Sequence, residues 1–375
     1  MNRLTRILRE LIALPSVNPA FVPGNDPRAG ERRVADFIAT TASRCGLDVE
    51  VHEVFPRRAN VIASLAPACK LRQRILLAPH TDTVGGEGEV FRPREENGRL
   101  HGRGACDTKG SVAAMLFAMM ELARSPQRPK QTEVVFAGLV DEENGQGGSR
   151  ALVAKGFRAD LAIVGEPTQS RVITAHKGDL WLQLEARGRA AHGSQPELGR
   201  NAIHEMARIV DLLETLYTGL LRKRRHPLLG NPTVSVGTIR GGTQPNIVPD
   251  QCRISLDRRT IPGETEAGVR REIKSLLQGH GLKAELLNIR GAPCLPMETD
   301  PSNSWVKQFL ASTGQVRPLG VNYFCDAAVL AGGGIPSVIF GPGNIAQAHT
   351  ADEWISLAQL SRGARLLLRF LQSLP

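Results

Sequence analysis

Apolar positions along this chain recur with two periods, and the points where the period changes mark out its parts. Leu4, Ile7, Leu8, Leu11 and Ile12 fall at helical spacing, which predicts an amphipathic N-terminal helix. Val34, Phe37, Ile38 and Ala42 predict a second helix within 28–46. Strands are expected near 48–53 and 60–65. Four short, continuous apolar runs then suit strands buried on both faces, at 75–78 (ILLA), 133–140 (EVVFAGLV), 160–164 (DLAIV) and 336–340 (PSVIF). Helices are expected at 110–124, where Met115, Leu116, Met119, Met120 and Leu122 read as core, at 149–155, and at 357–374.

Between about 178 and 290 the pattern changes. A strand at 180–187, a helix at 201–221, strands at 233–240 and 251–258, a helix at 264–279 and a strand at 283–290 give the order β-α-β-β-α-β. That order is the signature of a ferredoxin-like two-layer unit. The strand-and-helix series resumes after it, so the expected fold is α/β with an insertion. A discontinuous catalytic domain, residues 1–178 and 291–375, would carry a mixed, mainly parallel sheet flanked by helices. Residues 179–290 would form an inserted α+β lid.

At 375 residues the chain is long for one domain and comfortable for two. No apolar run approaches the roughly 20 residues that span a bilayer. Charges run through the N-terminal helix, which excludes a secretory apolar segment, and a cytoplasmic protein with no membrane partner is expected. The net charge of +10 raises the question of nucleic acid. Its densest run, LRKRRH at 221–226, reads as a solvated helix end, because the other basic residues are dispersed and aromatics make up only 4%. No nucleic-acid partner is expected. The six cysteines (45, 69, 106, 252, 294 and 325) show no paired spacing and read as free thiols. Cys106 and Cys325 each precede an aspartate in a site-like loop, which leaves a thiolate ligand open.

The buried-strand candidates end in chemistry. The first delivers His80 and Asp82, the second Asp141-Glu142-Glu143, the third Glu166, and the last is followed by His349; Asp107 lies just before the 110–124 helix. Ligands of open α/β sheets gather outside the carboxyl ends of the strands. His80, Asp107, Glu143, Glu166 and His349 supply two imidazoles and three carboxylates, a set suited to two divalent ions sharing one carboxylate. Mixed nitrogen and oxygen donors suit Zn²⁺, with Co²⁺ or Mn²⁺ as substitutes. Asp82 is placed to take the second ring N–H of His80 and fix its orientation. Glu142, the acid left over beside a ligand, is the natural general base for an activated water.

The chain also resembles a known family, the zinc-dependent M20 amidohydrolases and peptidases. The resemblance is carried, in the family's order, by LPSVNP, HTDTV, GRGACDTKG, DEE before a Gly-rich helix start, GEPT, AHGSQPELGRNAI, GGTQPNIVPD, LDRRTIPG and AHTADEW. It implies that His80 and Glu166 hold one zinc and Glu143 and His349 the other, with Asp107 bridging. It also implies that Glu142 is the base, that Asp82 orients His80, and that the bond from Asp107 to Thr108 is cis. In the lid, it implies that His192 polarises the scissile carbonyl, often from the partner subunit of a homodimer. Asn246 and Arg258 would bind the substrate carboxylate. GEPT with AHKG, and FGPGNIAQAHTADEW, are most similar to the acetylornithine deacetylase branch, whose activity is amide hydrolysis of N-acyl amino acids. Succinyl-diaminopimelate desuccinylases, aminoacylases and carboxypeptidases or dipeptidases are the alternatives within the family. Phe324-Cys325-Asp326-Ala327 departs from the family's small residue before that aspartate, which bears on the acyl or side-chain pocket.

Overall fold

The computed structural model describes residues 2–289 and 292–375. The expected end of the last lid strand at Arg290, and the expected boundary at 290/291, lie outside the described residues. Two compact units form, one from Met1–Thr174, Thr299–Leu319 and Cys325–Pro375, the other from Ala175–Glu298 and Gly320–Phe324. The first division thus falls just ahead of the expected 178/179. Gly320–Phe324, expected in the catalytic domain, belongs instead to the second unit, where the Val321 carbonyl accepts the Lys177 N–H at 3.2 Å.

The first unit is built on a mixed sheet. Asp48–Phe55 pairs antiparallel with Arg58–Leu65, which pairs antiparallel with Thr132–Gly138. Four strands then run parallel, in the order Thr132–Gly138, Gln73–Pro79, Leu161–Gly165 and Ser337–Ile339. Ile173–His176, a strand the apolar pattern did not announce, follows antiparallel to the last of these through Ile173. The parallel strands are almost wholly buried, as continuous apolar runs should be.

The helix Lys109–Arg124 is buried nearly all round, and it packs with Arg3–Ile12 and Leu357–Gln372 in one core. Its second residue must be glycine. A Cβ at Gly110 would lie 2.5 Å from the Ala105 carbonyl oxygen and 2.8 Å from Ile355. The close approach holds the 102–107 loop against the start of this helix.

The second unit is a four-stranded antiparallel sheet in the order Thr233–Gly241, Gln251–Thr260, Gly178–Arg187, Glu285–Asn288. Helices Ala202–Leu212 and Glu266–Gly279 pack their apolar faces on Leu180, Leu182, Leu184, Ile254 and Leu256. The first helix continues through a π turn at Leu213–Tyr217 into Thr218–Leu221. Of the basic run that follows, Arg224 turns back to pair with Glu264 (2.7 Å) and Glu272 (2.6 Å).

Candidate metal centre

All five expected ligands lie in the first unit, and the fold brings them together. His80 follows the Gln73–Pro79 strand directly, and its neighbour Leu139 follows the adjacent strand Thr132–Gly138. Glu142 and Glu143 come three and four residues later, Glu166 follows Leu161–Gly165, and His349 arrives on the loop after Ser337–Ile339. The carboxyl ends of the four parallel strands therefore converge on one place. Asp107 stands at its centre, and the Asp107–Thr108 peptide bond is cis.

Asp107 divides the cluster into halves. Its Oδ1 lies 3.1 Å from His80 Nε2, and its Oδ2 lies 3.4 Å from His349 Nε2. Glu166 Oε1 is 3.9 Å from His80 Nε2, and Glu143 Oε2 is 3.1 Å from His349 Nε2. His80, Asp107 and Glu143 present ligand atoms within 4.8 Å of one another, a possible metal site. His349 is exposed and the four others are largely buried.

Asp82 supports both halves from behind. His80 Nδ1 lies 3.0 Å from the Asp82 carbonyl oxygen and 3.4 Å from its Oδ1. The same carboxylate accepts the backbone N–H of Glu142 and of Glu143, each at 3.1 Å. It therefore orients a histidine and also holds the turn that carries the two glutamates.

The first acid of the DEE run behaves unlike the others. Asp141 has a left-handed backbone (φ 69°) and turns away, taking hydrogen bonds from Asn18 Nδ2 (3.0 Å) and Arg58 Nη2 (3.1 Å). Arg58 also grips Glu31 through two 2.7 Å bonds, and Asn18 donates to Asp82 at 2.8 Å. Three adjacent acids are thus kept apart, one tied to a half-buried cation and two facing the centre. Asn18, Glu31 and Arg58 were not singled out from the sequence, although Asn18 sits in the LPSVNP stretch.

Asp326 is a further group that sequence reasoning left without a role. It is buried, accepts the Ser149 hydroxyl at 2.5 Å, and its other oxygen has no partner among the described residues. Burial pushes its carboxyl up to about 7 despite that hydrogen bond. Burial pushes the thiols of Cys106 and Cys325 up, Cys106 also facing Asp107 and Cys325 facing Glu166, and Cys106 donates to the Asn344 carbonyl at 3.2 Å.

The donor set fits divalent cations. Glu166 Oε1 is buried with no hydrogen-bond partner, an expense seldom tolerated unless something else meets it. Burial, and then the neighbouring acids Glu166, Asp326 and Glu143, push Glu142 well above the usual carboxylate range. Burial likewise raises Glu166, with Asp107, Asp326 and Glu143 adding to it, and burial followed by Asp107 raises Glu143. Burial alone would lower His80, but hydrogen bonds to Asp107 and Asp82 carry it well above its ordinary value. Hydrogen bonds to Asp107 and Glu143 raise His349 to about 10. Without a cation, burial and mutual hydrogen bonding favour proton binding at these groups.

Cation loading should therefore release protons, and the apparent affinity should rise with pH, about tenfold per unit for each proton released. Calorimetric titration with Zn²⁺ at pH 7, in buffers of differing ionisation heat, measures this release. A heat independent of the buffer would contradict it.

The lid candidates lie in the second unit. His192 and Asn246 are exposed and on adjacent segments: His192 bridges to Ile247, and the Gly193 N–H donates to the Asn246 carbonyl at 2.7 Å. His192 Nδ1 is 2.7 Å from Ser194 Oγ and accepts the Ser194 N–H at 3.2 Å. That leaves Nε2 as the face open to solvent.

Arg258 differs from expectation. It is fully buried, its Nη2 pairs with Glu264 at 2.6 Å, its Nε meets Tyr217 Oη at 3.2 Å, and its Nη1 donates to the Arg259 carbonyl. A guanidinium committed in this way cannot receive a substrate carboxylate. The cause is register: Cys252, Ile254 and Leu256 face inward, and period-two alternation places Arg258 with them. Arg259 takes the opposite face, where Nε and Nη2 bond Asp257 at 2.8 and 2.9 Å and Nη1 carries no bond among the described residues.

A mainly parallel sheet with a possible metal site at its strand ends, beside a separate α+β unit, is an architecture suited to a metal-dependent hydrolase. Residues 76–373 match the model of peptidase family M20/M25/M40, and the chain belongs to that family. It is 32% identical over 381 residues to an acetylornithine deacetylase of Myxococcus xanthus, covering 98% of this chain and 96% of that one. Among solved structures it is similar to aminopeptidase PepT of Bacillus cereus (TM-score 0.79, 22% identity, 99% and 97% of the two chains). It is also similar to the YXEP protein of Bacillus subtilis, described as a dinuclear metal-binding peptidase (TM-score 0.70, 16% identity, 99% and 97%). At those identities the solved structures establish the fold.

Proposed function

We propose that this chain is a di-zinc deacylase that cleaves the amide bond of N-acyl amino acids, acetylornithine deacetylase-like, in the cytoplasm. Support comes from the relative named acetylornithine deacetylase over nearly the full chain, and from the possible metal site of His80, Asp107 and Glu143 with Glu166 and His349 beside it. His80 and Glu166 would hold one, Glu143 and His349 the other, with Asp107 between them. Bound there, zinc would lower the pKa of water and polarise the scissile carbonyl.

The observation that carries the reading is the contrast between adjacent glutamates. Glu143 is paired with His349, whereas Glu142 makes no side-chain ion pair or hydrogen bond among the described residues. A buried carboxylate that no hydrogen bond or ion pair among the described residues engages is suited to taking a proton from water and returning it to a departing amine. Asp82 keeps Glu142 at the site through its backbone N–H. In the lid, His192 would donate to the carbonyl oxygen through Nε2, in a homodimer from His192 of the partner subunit. Asn246 and Arg259 would read the α-carboxylate, because a planar guanidinium pairs with it bidentately.

A panel of N-acetyl and N-succinyl amino acids and dipeptides, assayed with zinc and with chelator, tests the reading. N-acetyl amino acids, including the α-N-acetylated basic ones, should be cleaved and chelator should abolish turnover. Cleavage confined to peptides with a free amino terminus would make the chain a peptidase of the same family.

A further inference from the structure

We propose that Glu353 is the positioning residue for Asp107, and that through Asp107 it sets the spacing of both halves of the metal centre. The inference rests on the metal-centre reading above. Glu353 is buried and lies four residues beyond His349, on the segment that carries that ligand. Its carboxylate reaches across to the 103–107 loop. Oε1 accepts the backbone N–H of Cys106 (2.8 Å) and of Asp107 (2.9 Å), while Oε2 accepts the N–H of Gly104 (2.9 Å) and Arg103 Nη1 (2.8 Å). Its own carbonyl accepts the Gly102 N–H at 2.9 Å.

These four donors fill both oxygens, so Glu353 has no lone pair left for a cation or a substrate. It acts through Asp107. With its N–H tied back to Glu353, Asp107 is left with its two carboxylate oxygens directed one to each histidine. Arg103 is itself fixed by a 2.9 Å bond from Nε to the Gly85 carbonyl, so the clamp is braced at its far end. One side chain thereby links the loop bearing the shared carboxylate to the loop bearing His349. Only a carboxylate serves here. All four partners are donors, and a glutamine would turn its NH₂ toward two of them in either orientation.

The test is titration with Co²⁺, read by the visible spectrum and by metal content after dialysis, alongside thermal unfolding of the metal-free protein. Glu353→Gln should remain folded, bind Co²⁺ about 10- to 100-fold more weakly, and show an altered cobalt spectrum. Glu353→Asp, which keeps the charge and both acceptors on a shorter stem, should fall between it and the wild type. Wild-type affinity and spectrum in folded Glu353→Gln would overturn the proposal, leaving a purely structural role. If Glu353→Gln does not fold, Glu353→Asp decides: weaker binding and a shifted spectrum uphold the clamp, and wild-type behaviour overturns it. Failure of the wild type itself to bind Co²⁺ would instead strike the metal-centre reading, so the two failures are distinguishable.

Discussion

Glu142→Gln should lower kcat by about 100- to 10,000-fold while the protein keeps its full complement of zinc. The substitution is nearly isosteric and removes only the ability to take up a proton. Glu142 is paired with neither histidine, so the groups around Asp107 need not move. Glu143→Gln should fail in a different way. Its carboxylate lies 3.1 and 3.3 Å from His349 Nε2, and the half of the centre containing His349 should lose affinity. Metal analysis after dialysis, run beside the kinetics, separates the two. If Glu142→Gln lost an equivalent of zinc while Glu143→Gln kept both, the two roles would be exchanged. Both backbone N–H groups end on Asp82, so Asp82→Asn should show a mixture of the two defects.

The adjacent arginines should separate as cleanly. Arg258→Met should destabilise the lid by about 3 kcal/mol, the low end for breaking a buried ion pair, because Arg224 and the Ile261 N–H still face Glu264. Chemical denaturation reads this loss. Arg259→Ala should cost less stability than Arg258→Met, since its nearer partner Asp257 is partly exposed and the buried Asp179 lies farther off, at 3.7 Å. Its effect should fall on selectivity. Wild type should prefer an N-acetyl amino acid over the matching carboxamide by about 10- to 100-fold in kcat/KM, the worth of one charge-assisted pair. Arg259→Ala should lose most of that preference, and Arg259→Lys should recover little of it, because a point charge cannot reproduce the fork. Equal hydrolysis of acid and carboxamide by the wild type would remove the carboxylate-reading role from either arginine. A preference lost in a fully folded Arg258→Met, and kept in Arg259→Ala, would return the role to Arg258.

Much of this was legible before any coordinates. The four apolar runs became the parallel strands because a strand covered on both faces needs apolar side chains at every position. Their polar endings became the centre because strand ends are where a sheet opens. The β-α-β-β-α-β order of the lid followed from period alone. Even the placing of Arg258 was available in QCRISLDRRT, where the inward-facing run Cys252, Ile254, Leu256 extends by two to Arg258. A motif read as a string of residues outweighed a periodicity that any strand must obey.

Other features are invisible along the chain because they join residues far apart in it. Asp141 reads like its two neighbours, yet the fold gives it to Asn18 and Arg58, and only that pairing leaves Glu142 and Glu143 for the centre. Glu353 is one acid among many in sequence, and becomes a clamp only where four N–H groups of 103–107 point at it. The strand Ile173–His176 carries too few apolar positions in a row to announce itself, and it forms because Ser337–Ile339 and its neighbours offer it a ladder. Residue types and their local periods therefore determined the elements and the histidines and carboxylates that meet at the strand ends. Which acid is paired, which is left without a bond and which takes backbone N–H groups was decided by tertiary hydrogen bonding, since how many donors and cations share a carboxylate's oxygens depends on residues far apart in the chain.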